Sequence, residues 1–181
     1  ISIFTSPIEN FFMSAQDIIH NYFLMLKNIA AACGQSGRSP NDVLLLAVSK
    51  TRPASDVMLA YNAGARNFGE NYVQEGVDKI EALDELLPDN QAAWHFIGPL
   101  QSNKTRLVAE YFDWVHSVDR LKIAQRLNEQ RPVPRPPLNV CLQVNIDSQT
   151  TKSGCATEEA ILLAEQVIAL KHLHLRGLMA I

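Results

Sequence analysis

Six short β-favouring runs, starting near Val43, Arg66, Ala93, Asp113, Leu138 and His174, take turns with helix-like stretches over 54–63, 72–87, 103–111, 120–129 and 157–170. Strand and helix alternating at roughly 20 to 35 residues predicts a parallel sheet, because a parallel neighbour is reached only through a long, usually helical, return. Two α/β architectures fit this rhythm. An open doubly wound sheet holds six strands without difficulty, whereas a closed β/α barrel needs eight strands and typically about 250 residues. The pattern leaves both open. Four prolines in 131–137 predict an extended surface connection before the fifth strand.

Ahead of the first strand, Ser14 with Asp17 three residues on predicts a helix start. Ile19, Tyr22, Phe23, Leu26, Ile29, Ala30 and Cys33 follow at helical spacing, and Gly34 supplies the stop. Residues 1–12 fall outside that pattern. They carry neither a basic leader nor a small-residue cleavage site, so they are read as non-native or upstream sequence. The domain is expected to begin at Met13 and to run over 13–181.

The net charge of −3 offers no electrostatic footprint for nucleic acid or anionic lipid. No apolar stretch approaches the roughly 20 residues that cross a bilayer. Cys33, Cys141 and Cys155 are odd in number and far apart, as free thiols in a reducing compartment would be. A cytoplasmic location is expected.

Chemistry enters at Lys50. It closes the apolar run Val43-Leu44-Leu45-Leu46-Ala47-Val48-Ser49-Lys50 and precedes Thr51-Arg52-Pro53, which must turn. The run reads as a strand buried on both faces, with the lysine at the mouth of the sheet. Apolar walls disfavour the charged form of an ammonium, and a free amine is what Schiff-base chemistry with an aldehyde requires. A surface lysine that merely ends a strand fits the same segment.

Longer motifs surround it: Ala47-Val48-Ser49-Lys50-Thr51, Phe68-Gly69-Glu70-Asn71-Tyr72-Val73-Gln74-Glu75 and Trp94-His95-Phe96-Ile97-Gly98-Pro99-Leu100-Gln101-Ser102-Asn103-Lys104. Asp113-Trp114-Val115-His116-Ser117-Val118-Asp119 and Arg176-Gly177-Leu178-Met179-Ala180-Ile181 continue the series. In this order they resemble the pyridoxal phosphate homeostasis protein family, from about Met13 to Ile181. Members of that family look like the barrel domain of alanine racemase without its second domain. The resemblance implies a (β/α)8 TIM barrel of the alanine racemase N-terminal type, of which this chain holds about six β/α units. Six units leave two raw strand edges, so the chain by itself is expected to be unstable or to associate.

The resemblance makes Lys50 the residue that holds pyridoxal 5′-phosphate (PLP) as a Schiff base at C4′. It suggests Asn71 and Ser117 as polar contacts around the ring, and Met179 as an apolar wall against one ring face. His95 either hydrogen-bonds near the cofactor or is a satisfied core histidine; His116 favours the core reading. The phosphate cradle and the arginine partner of the pyridine nitrogen are expected beyond Ile181. Glu70 and Glu75 read as carboxylates favoured by a helix start. Lys79, Lys104 and Arg106 read as solvated helix-face charges, and Trp94 and Trp114 as core. His172 and His174 have no acidic or cysteine partner at ligand spacing, so no metal is expected there.

The implied function is PLP binding in vitamin B6 and amino-acid homeostasis, without a dedicated turnover. PLP itself and PLP-dependent apoenzymes are the implied partners, with a monomer expected for the full-length form. The alternative is a racemase-like PLP enzyme acting on amino acids. Two-base chemistry needs groups on opposite faces of the cofactor, and the tyrosine that alanine racemases take from a second domain has no counterpart here. A barrel enzyme without a cofactor would need a paired-carboxylate or nucleophile-base set, which the strand ends do not supply.

Overall fold

All six strands form, and they lie parallel in one sheet: β1 (Ala47–Val48), β2 (Asn67–Glu70), β3 (Ala93–Phe96), β4 (Trp114–Val118), β5 (Leu138–Gln143) and β6 (Leu173–Met179). Between them run α2 (Ala54–Asn62), α3 (Val73–Leu86), α4 (Thr105–Tyr111), α5 (Leu121–Gln130) and α6 (Ala160–Ile168), with a 3-10 turn at Thr157–Glu159 leading into α6. The structure, a computed structural model, describes residues 14–147, 149 and 153–181. The expectation for residues 1–12, and for Met13 as the start, lies outside the described residues.

Among the described residues the chain divides into two parts, separated between Leu44 and Leu45. The first carries α1 (Ala15–Gln35), which begins as its sequence predicts. The Asp17 backbone N–H donates to Ser14 Oγ at 3.2 Å, and the Ser14 N–H donates to Asp17 Oδ2 at 2.9 Å. This reciprocal pair satisfies donors that a helix end leaves free. The bonds from the Ser14 hydroxyl and then its backbone N–H hold the Asp17 carboxyl below the usual carboxylate range.

The second part holds the sheet, and its strand order decides between the two architectures. A doubly wound sheet reverses direction at a switch point, which sends helices to both faces. Here the order is β1-β2-β3-β4-β5-β6, with no reversal. Crossovers of one hand along an unreversed sheet put every helix on the same face. Each of α2 to α5 packs against the next helix in the chain, as a barrel wall requires.

Alternation along the strands then sorts residues between two faces. Phe68, Trp94, Phe96, Val115, Val140 and Leu142 are buried on the helix side, with Val108, Phe112, Ile123, Leu127 and Val167. Phe96 meets Phe112 edge to face at 5.6 Å between ring centres. Burial of large apolar side chains, each contributing about 1.5–3 kcal/mol, holds helices to sheet. The opposite face carries Asn67, Gly69, His95, Trp114, His116 and Asn139.

Two expectations need correction. The strand over 43–50 is only two residues long, and Val48 is 50 % exposed instead of buried on both faces. β1 is an edge strand, so it has a neighbour on one side only. Lys79 is also not solvated: 4 % exposed, it forms a buried ion pair with Glu70, which is 0 % exposed.

Candidate functional site

Lys50 sits in a tight turn at the C-terminal end of β1, closed by the Arg52 N–H donating to Ser49 O at 3.0 Å. Thr51, third residue of the turn, takes φ +61°. A left-handed conformation is uncommon for a β-branched residue and marks a backbone held by its surroundings. Thr51 Oγ1 donates to Lys50 O at 2.6 Å. The Lys50 side chain is exposed, and among the described residues its amine has no hydrogen-bond or ion-pair partner. The apolar enclosure expected from the sequence is therefore not what surrounds it.

Both flanks of Lys50 are fixed by charged residues from β2 and α3. Ser49 N–H donates to Gly69 O at 3.0 Å, and Ser49 Oγ donates to Glu70 Oε1 at 2.6 Å. Lys79 Nζ donates to Ser49 O at 2.6 Å, and to Glu70 Oε1 and Glu75 Oε1 at 2.7 Å each. Glu75 Oε1 in turn accepts the Thr51 backbone N–H at 2.5 Å. All three donors of the ammonium are used. These residues were legible only in part, since Glu75 and Lys79 stand at the i,i+4 spacing of a helical ion pair. Lys79 also lies in the stripe of α3 that carries Gly76, Ile80 and Leu83 inward. Gly76 permits that approach, because a Cβ there would meet the Phe112 ring at 2.6 Å.

Asn71 follows directly on β2, one strand from the Lys50 turn. Gly98, just past β3, crosses its backbone so closely that a Cβ would stand 2.3 Å from Asn71 O. The Asn71 Oδ1 atom is buried and has no hydrogen-bond partner.

Ser117 reaches the strand ends by an irregularity in β4. Between the pairs Val115–Val140 and Val118–Leu142, two residues of β4, His116 and Ser117, stand against Cys141 alone. Such a bulge breaks the alternation that would otherwise send neighbours to opposite faces, and re-aims a side chain. Ser117 Oγ is buried and, like Asn71 Oδ1, without a partner. Buried polar atoms are nearly always satisfied, so these two, together with Glu70 Oε2 at the end of β2, require an explanation. Met179 ends β6, pairs with Gln143, and accepts the Val144 N–H on its backbone oxygen at 2.9 Å.

His95 lies one layer back from these ends, paired with Gly69 and Trp114. Its Nε2 is 3.0 Å from Asn67 Oδ1 and its Nδ1 is 2.9 Å from His116 Nε2. An amide oxygen only accepts, so His95 Nε2 carries the proton and Nδ1 accepts from His116. The ring stacks on Trp114 at 5.2 Å between centres, with planes 12° apart. Burial first, and the neighbouring His116 second, push its pKa down to about 3. Both ring nitrogens are engaged in these two contacts.

Among the described residues, no three His, Cys, Asp or Glu side chains stand close enough to hold a metal ion, and no helix is long and apolar enough to cross a membrane. The three cysteines are unpaired. What the strand ends present is an amine without a partner on a hydrogen-bonded turn, and buried polar atoms without partners, Asn71 Oδ1 and Ser117 Oγ among them. PLP would need an amine for its aldehyde and polar groups for its ring substituents, and these residues fit both needs.

Residues 25–181 match the alanine racemase N-terminal domain family. A pyridoxal phosphate homeostasis protein of Escherichia coli K12 is 58 % identical over 165 residues, which cover 91 % of this chain and 70 % of that protein. A crystal structure of an unknown protein from Bifidobacterium adolescentis is similar, with TM-score 0.85, 34 % identity, and coverage of 92 % of this chain and 70 % of that one. PipY of Synechococcus elongatus, in a structure with PLP bound, gives TM-score 0.69 at 36 % identity, covering 86 % of this chain and 70 % of PipY.

Proposed function

The chain belongs to the pyridoxal phosphate homeostasis protein family, and we propose that it binds PLP through Lys50 and serves intracellular PLP and amino-acid homeostasis without a turnover of its own. The observation that carries this reading is the Lys50 amine, partnerless and exposed on a turn whose two flanks are pinned. When bound, the cofactor supplies an aldehyde that condenses with an amine to a Schiff base, releasing water. Lys50 supplies the nitrogen, and its amine must shed a proton to attack. Among the described residues no carboxylate pairs with it, so nothing ties the nitrogen to another side chain.

Asn71 and Ser117 would offer their unpartnered oxygens to the polar atoms of the ring, and Met179 an apolar contact. His95 supports this layer from behind, since its nitrogens are already taken. Three unpaired thiols favour a reducing compartment, which fits a cytoplasmic setting. Relatives named for homeostasis, and not for a reaction, favour binding over catalysis. PLP-dependent apoenzymes are the natural recipients of a carried cofactor.

The test is an absorbance titration of the chain with PLP, then borohydride reduction and peptide mass mapping, with Lys50→Ala in parallel. Label confined to the peptide containing Lys50, and lost in the variant, is the expected result. Scattered labelling unchanged by Lys50→Ala would end the proposal. Amino-acid racemisation or decarboxylation at enzymatic rates would overturn the absence of turnover.

A further inference from the structure

The buried Glu70–Lys79–Glu75 network grips the residues on both sides of Lys50 and leaves Lys50 itself alone. We propose that these three side chains are positioning residues for the Lys50 amine: they fix the turn so that it presents the amine at one place at the strand ends. The proposal rests on the reading of Lys50 as the PLP attachment point.

The geometry separates the two lysines sharply. Lys79 is 4 % exposed with three oxygens around its ammonium; Lys50 has none. Ser49 is held at its N–H by Gly69, at its hydroxyl by Glu70 and at its carbonyl by Lys79. Thr51 is held at its N–H by Glu75. Anchors on residues i−1 and i+1 fix the Cα position and the Cα–Cβ direction of residue i, the point from which its side chain reaches out. The left-handed Thr51 supports this independently, because a conformation that unfavourable for a β-branched residue persists only where the surroundings impose it.

A network built for stability alone would have no reason to spend its oxygens on the main chain of an exposed turn. The Thr51 N–H that Glu75 holds adds no contact to the Glu70–Lys79 pair itself. The third carboxylate, Glu75, is only partly buried and bridges Lys79 to the Thr51 N–H with a single oxygen. It is the removable link, since its loss leaves the Glu70–Lys79 pair in place.

The experiment therefore uses Glu75→Ala and Glu75→Gln in the full chain, with Lys50→Ala as the control for attachment. Amide hydrogen exchange at Thr51 reads the clamp without any cofactor. The rate of PLP condensation, followed by absorbance and by borohydride trapping at Lys50, reads the positioning. Glu75→Ala should speed Thr51 exchange and slow condensation, each on the order of tenfold, since small misplacements of a reacting group cost rates of this size. Glu75→Gln should restore most of both, because its amide oxygen can still accept the Thr51 N–H. Amide protection in β3 to β5 should be the same in all three, which separates loosening of the turn from loss of the fold.

Unchanged exchange at Thr51 in Glu75→Ala would show that no clamp exists. Faster exchange with unchanged condensation would show a clamp that does not position Lys50. Either overturns the proposal while Lys50→Ala still loses its label. Trapping that survives Lys50→Ala would instead overturn the attachment reading, and the proposal with it.

Discussion

Two polar networks lie in this sheet, one at the β1–β2 corner and one across β2, β3 and β4, and they are built on opposite principles. The corner network buries full charges: Lys79 against Glu70 and Glu75, every donor used and the backbone around Lys50 drawn in. The central network buries neutral rings: His95 between Asn67 and His116, stacked on Trp114. Removing one partner from the first strands a charge in a dry place. In the second, the hazard is a proton, because adding one creates a charge where none has a counter-ion. The corner should thus be fragile to substitution and the centre to acid.

The largest expected effect breaks the corner. Lys79→Met leaves Glu70, 0 % exposed, with no cation beside it. Loss of one member of a buried ion pair costs about 3–5 kcal/mol. Urea denaturation at neutral pH should show that loss, and the double variant Glu70→Gln with Lys79→Met should recover much of it. A Lys79→Met chain as stable as the parent would mean that water reaches Glu70 and that the corner is not a closed network.

Next comes the acid sensitivity of the centre. His95 has a folded pKa of about 3 against an ordinary 6.5, with burial as the main cause. His116, facing it, is lowered as well by burial. As pH falls below 6.5 the unfolded chain takes up these protons before the folded one does, so stability present above 6.5 is lost as pH drops toward 3. By about pH 4.5 the His95 contribution alone amounts to roughly 2–3 kcal/mol. Denaturation midpoints between pH 7.5 and 4.5 should fall, and His95→Gln should flatten the fall. An equal slope in the variant would move the acid sensitivity away from this pair and collapse the contrast.

The same contrast explains what the sequence could and could not disclose. Local pattern places β3 at Ala93 and β5 at Leu138, where they are found, because strand starts and helix stops are set by short-range chemistry. Strand order was not local. Periodicity alone left the barrel and the doubly wound sheet open; the motifs' resemblance pointed to the barrel, and the unreversed strand order agrees with it. Lys50 was visible as the end of an apolar run, yet its enclosure was misjudged, since nothing in that run says that β1 lies at an edge. Lys79 was misjudged the other way: a lysine on a helix is usually solvated, and only the approach of α3 through Gly76 encloses it. His95 left two readings open, because the residues that hydrogen-bond it, Asn67 and His116, stand 28 and 21 residues away in the chain. Ser117 owes its place to a register shift that alternation does not foresee.

The smallest effect sharpens the comparison most, because it asks what keeps the corner's backbone in place. Thr51 holds φ +61°, which for a residue of its kind costs on the order of 1–3 kcal/mol. Thr51→Gly removes that cost but adds roughly 0.5–1 kcal/mol of unfolded-chain entropy and gives up the hydroxyl bond to Lys50 O. The backbone N–H that Glu75 holds is kept. The two sides nearly cancel, so the variant should stay within about 1 kcal/mol of the parent, with Thr51-site amide protection retained. If charged side chains impose the turn, glycine will follow the same path with less resistance. Loss of protection in Thr51→Gly would mean that the threonine side chain, and not the ion network, sets the backbone beside Lys50.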